Sequence, residues 1–160
     1  MTGRRGTVVE TESGVAVEPA QRTRRPGVVA RWVAITAVEI VIAIHVLLTP
    51  MHLRETLYIG VLFIVGNALL LVALLLMTGT RHERAGWSLA AAVCAGEFVG
   101  FVLSRTTGLP QGYHETWASA PEDYLGLLSL ACEVVFGAAA VAWARARAGV
   151  SPPGGRTGTA

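Results

Sequence analysis

Acidic side chains inside apolar surroundings are the residues of this sequence best placed to do chemistry. Glu39, Glu97 and Glu133 each sit well inside a long apolar block, and a fourth block carries Asn67 instead. A charged side chain at the centre of a bilayer costs at least about 2.5–3.5 kcal/mol, so such groups face a protein interior and pair there. Counted from the outer end of each block at about 1.5 Å per residue, all four lie about 10–15 Å deep, in nearly one layer. Carboxylates that close in a dry core cannot all be ionised. Two readings follow. The layer of Glu39, Asn67, Glu97 and Glu133 binds or conducts a proton or cation, or the acids are protonated and hydrogen-bond across helices to fix the packing.

A second cluster lies near the outer ends of the blocks: His45, Met51, His52 and Glu55, then Arg105, His114 and Glu115. Imidazoles, a thioether and carboxylates suit copper or zinc. His45, Met51, His52 and His114 are therefore candidate ligands of a transition metal, against the plain reading of solvated loop side chains. Pro50 stands between His45 and His52 and predicts a helix break there. Haem is a weaker fit, because it needs two histidines at facing depths and only His45 falls within a block. Arg105 is expected to pin its loop through Glu55, Glu115, Glu122 or Asp123, or else to reach into water. Cys94 and Cys132 form no CxxC pair, which argues against a thiol–disulfide enzyme.

The elements that must position these residues follow from composition. Of 160 residues 52% are hydrophobic and only 15% charged, against about 25% charged in an average soluble domain. The apolar residues are gathered into four blocks, at about 27–48, 57–78, 86–104 and 124–146. Each is close to the 20 or so residues that cross a bilayer. An unpaired backbone group in hydrocarbon costs several kcal/mol, so the spans must be helical. The expected fold is all-α: a four-helix transmembrane bundle over 27–148 between polar tails, 1–26 and 149–160. All 13 basic residues are arginine, and 11 of them fall on the side of the termini and the second loop, leaving Arg54 and Arg105 opposite. That asymmetry predicts cytoplasmic N- and C-termini in a bacterial plasma membrane. The net charge of +2 is too small to argue for nucleic acid. Gly96 and Gly100 form a GxxxG that favours close helix approach, within the bundle or between two copies of the chain.

His45, the stretch Tyr58-Ile59-Gly60-Val61-Leu62-Phe63, then Ser104-Arg105-Thr106-Thr107-Gly108-Leu109, and Ser129-Leu130-Ala131-Cys132-Glu133 resemble the pattern of small four-span membrane proteins common in actinobacteria. The resemblance covers about residues 40–136. It implies the topology, picks out His45, Arg105 and Glu133, and implies no activity. From the residues, the function is proton or cation binding in the core. A non-catalytic scaffold or accessory subunit, and a membrane oxidoreductase holding haem or quinone, stand as alternatives.

Overall fold

The computed structural model describes residues 26–79, 81–117 and 121–148. Four helices account for most of them: α1 (Pro26–Glu55), α2 (Leu57–Thr78), α3 (Glu83–Arg105) and α4 (Pro121–Ala148). All four are long and apolar enough to cross a membrane. Large apolar side chains such as Leu47, Leu57, Leu62, Leu75 and Val134 point outward from the bundle. Water would not tolerate so continuous an apolar exterior, whereas lipid does. This is the architecture of a multi-pass membrane protein.

The helices run up and down in a ring. α1 packs on both α4 and α2, α2 packs on α3, and the ring closes most thinly between α3 and α4. One end carries Thr56 and the α3–α4 connection, and is called here the loop end; the opposite, terminus end carries Pro26, the α2–α3 turn and Ala148.

The terminus end is tightly filled. Val38, Val41, Leu70, Met77 and Phe136 are fully buried. Trp87 stacks on Trp143 at 4.6 Å and on Phe136 at 5.8 Å. Trp143 Nε1 donates to Glu83 Oε1 at 3.1 Å, and Glu83 Oε2 lies 3.0 Å from Arg147. Gly86 lets α3 meet the α2 backbone: a Cβ there would stand 2.6 Å from Met77 N and 2.8 Å from Ala73 O.

Two sequence expectations change. α1 does not stop near Leu48 but continues through Pro50 to Glu55. Proline costs one backbone hydrogen bond, and nearby hydroxyls in membrane helices take up freed carbonyls. Here the carbonyl left without its N–H partner is that of Val46, and Thr49 Oγ1 donates to the adjacent His45 carbonyl at 2.6 Å. The inward stripe of α1 therefore runs on in steps of four and three: Ala34, Val38, Val41, His45, Leu48 and His52 are all buried.

The second change is Glu39, which is exposed on the outside of the bundle rather than in its core layer. It lies six residues before His45, which is about 120° around the helix and about 9 Å nearer the terminus end. The extension of α1 moves the loop-end boundary, and with it the depth that had aligned Glu39 with the other acids.

Candidate functional site

Three helices bring their polar side chains together in the loop-end half of the bundle. The Nδ1 of His45 on α1 lies 3.4 Å from Glu97 Oε1 on α3. On α4, Ser129 Oγ stands 3.2 Å from His45 Nε2 and donates to Glu133 Oε1 at 3.3 Å. One nitrogen or oxygen from each of His45, Glu97 and Glu133 fits within a 4.8 Å group. His45, Ser129 and Glu133 are buried, and Glu97 is partly so.

The protons in this cluster can be counted. Ser129 has one, given to Glu133, so its oxygen accepts from His45 Nε2–H. His45 Nδ1 is thereby turned toward the Glu97 carboxyl group. His45 Nδ1, Glu97 Oε2 and Glu133 Oε2 are all buried without a hydrogen-bond partner. Acceptors facing one another in a low-dielectric interior repel unless a positive charge or a donor lies between them.

A second polar group caps the first toward the loop end. The Arg105 guanidinium is buried over the Phe101 ring, 3.6 Å from its centroid. It pairs with Glu115, and its Nη2 lies 3.6 Å from Asp123 Oδ1. The Tyr113 hydroxyl donates to Glu115 and so accepts from His52 Nδ1 at 3.1 Å. Burial, and after it the hydrogen bond to Glu115, push the Tyr113 phenol well above its usual range. The loop backbone is fixed as well. Glu115 N donates to Ser104 O at 3.0 Å, Leu109 N to Tyr113 O at 2.7 Å, and Tyr58 Oη to Pro110 O at 2.7 Å. Gly108, at φ +80°, turns the chain out of α3 into this loop, a conformation glycine adopts without a Cβ clash.

The two polar groups share a cavity of ≈ 580 Å³. His45 and His52 both lie against the Phe63 ring, each at 4.6 Å, so one aromatic side chain separates the inner cluster from the cap.

No known protein family, curated protein or solved structure matches this chain.

Of the expected core layer, the structure brings Glu97 and Glu133 together, leaves Glu39 outside, and adds His45 and Ser129. Asn67 is buried, with its Oδ1 unpartnered, but does not line the cavity. The expected quartet of His45, Met51, His52 and His114 does not assemble. His114 is exposed in the loop, while the inward stripe of α1 turns His45 toward the two glutamates. Among the described residues, His45, Glu97 and Glu133 form the one group of three or more His, Cys, Asp or Glu side chains with this geometry. Gly96 and Gly100 do not bury against a neighbouring helix. A Cβ at either would meet nothing within 4 Å. The Glu122 side chain and both tails lie outside the described residues.

Proposed function

We propose that this multi-pass membrane protein binds a cation, or a proton in its place, between His45, Glu97 and Glu133. The observation that carries the reading is the convergence of one ligand atom from each of the three side chains within 4.8 Å, with His45 Nδ1, Glu97 Oε2 and Glu133 Oε2 buried and without a hydrogen-bond partner. Two carboxylates beside an imidazole suit a positive charge and disfavour an anion. The Arg105 charge does not fill this role, since its terminal nitrogens are engaged by Glu115 and Asp123. The arginine asymmetry supports a reading with the termini in the cytoplasm and the cavity in the outer half of a bacterial plasma membrane.

Carbodiimide modification tests this whatever the cation is, because it attacks protonated carboxyls in apolar sites. Glu97 or Glu133 is expected to be labelled in the purified protein. At least one member of a panel of sodium, potassium, zinc, manganese and alkylammonium salts should protect it. Labelling that no cation and no change of pH alters would sink the proposal.

A further inference from the structure

The cavity around the site is much larger than a bare ion needs. Its cavity of ≈ 580 Å³ would hold about twenty waters at about 30 Å³ each, and lies in the range of about 300–1,000 Å³ typical of small-molecule pockets. Its polar atoms are also unevenly placed. The acceptors His45, Ser129, Glu97 and Glu133 gather on the inner wall, while Leu62, Val65, Leu69, Leu89 and Val93 line the side between α2 and α3.

That side opens laterally. Leu62, Val65 and Leu69 line the cavity and remain well exposed, so they do not seal it. They lie five, eight and twelve residues into α2, or about 7–18 Å along it, at the depth of hydrocarbon rather than headgroups. On α3 the facing strip includes Gly96 and Gly100, where open space stands in place of side chains. A molecule dissolved in the bilayer therefore has a route to Glu97 that does not pass the Arg105–Glu115 cap.

We infer that the cation is a lipophilic primary ammonium ion, with its –NH₃⁺ head among His45, Glu97 and Glu133 and its apolar chain in the groove between α2 and α3. This rests on the cation site proposed above and names its ligand class. A primary ammonium has three N–H donors and no acceptor. The site offers two carboxyl oxygens, Glu97 Oε2 and Glu133 Oε2, and the imidazole nitrogen His45 Nδ1, all buried without a hydrogen-bond partner. A quaternary ammonium has the charge but no donor, a metal ion leaves the apolar groove unused, and a fatty anion meets two carboxylates.

Equilibrium binding to the full chain in phosphatidylcholine nanodiscs separates these. The probes are n-octylammonium, n-octyltrimethylammonium, n-octanol and zinc. Octylammonium should bind at least tenfold more tightly than the trimethyl analogue or the alcohol, and should protect Glu97 or Glu133 from carbodiimide. E97Q and E133Q should each weaken it at least tenfold. Gly96→Leu fills the groove from a position with open space around it, and should weaken octylammonium by a similar factor with an unchanged thermal midpoint.

Zinc binding without octylammonium binding overturns the inference and leaves the cation site standing. Equal binding of octanol or the trimethyl probe overturns it too, as partition into an apolar groove. So does a Gly96→Leu protein that binds octylammonium normally. If no cation binds or protects, the site and the inference fall together.

Discussion

Removing the Arg105 guanidinium is the most direct perturbation of the cap. Arg105→Ala leaves Glu115 and Asp123 without their cation and empties the space over Phe101. Breaking a buried pair by deleting one partner costs about 3–5 kcal/mol. Two features lower that figure. Glu115 keeps its Tyr113 and Ser104 contacts, and its side chain is 22% exposed, so water takes up part of the charge. About 2–3 kcal/mol is the expected loss in local stability, which is about a 30- to 150-fold rise in the population of the opened loop. The reporters are two amides, since Leu109 N–H and Glu115 N–H are held only by the closed loop. Their hydrogen exchange should accelerate by that factor, while amides in the middle of α1 stay protected. Arg105→Lys keeps the charge but loses the planar fork and the stack on Phe101, and should fall between the two. Unchanged exchange at Leu109 and Glu115 in Arg105→Ala would show that the backbone bonds hold the loop alone.

The remaining predictions concern packing, orientation and ionisation. Gly86→Ala should lower the thermal midpoint by an amount corresponding to about 1–3 kcal/mol, because its Cβ meets α2 backbone. Gly96→Ala, with open space around it, should be neutral or slightly stabilising. Glu39→Leu should leave cation binding intact and raise stability, since that side chain faces outward; loss of binding would return Glu39 to the site. In intact cells a cysteine at Gln111 should react with an impermeant reagent and one at Arg81 should not, and the reverse would invert the topology. The Tyr113 phenol lies above its ordinary value in the folded protein. Its contribution to stability is therefore complete below about pH 10 and is lost only as pH rises through the folded value. Tyr113→Phe should remove the last step of the phenolate absorbance titration.

The spans are legible in the sequence because burial in lipid needs only length and apolar content, and α2 coincides with its expected bounds at Leu57–Thr78. The α1 boundary is not, because Pro50 reads as a break, whereas here the helix runs on through it at the cost of one backbone hydrogen bond. Glu97 and Glu133 are visible as acids in apolar blocks. Their partner is obscured because α1 is apolar on every side, so no contrast marks its inward face. His45 reads as part of the outer cluster for that reason, although it shares the stripe of Ala34, Val38 and Val41. Tyr113 carries no signal at all, since its position depends on how residues 108–112 turn.

The contact between Gly66 and Glu97 sets a rule for how this site can vary among descendants of the same sequence. The Glu97 carboxylate rests where a Cβ on residue 66 would be, 2.7 Å from Oε1. Any side chain at 66 therefore displaces the acid, and an acid shorter by one methylene makes room for it. Alanine at 66 should shift the Glu97 carboxylate within the cluster, and aspartate at 97 avoids that contact only by drawing its carboxylate back from His45. Glycine at 66 and glutamate at 97 should therefore be retained together wherever the cluster is retained.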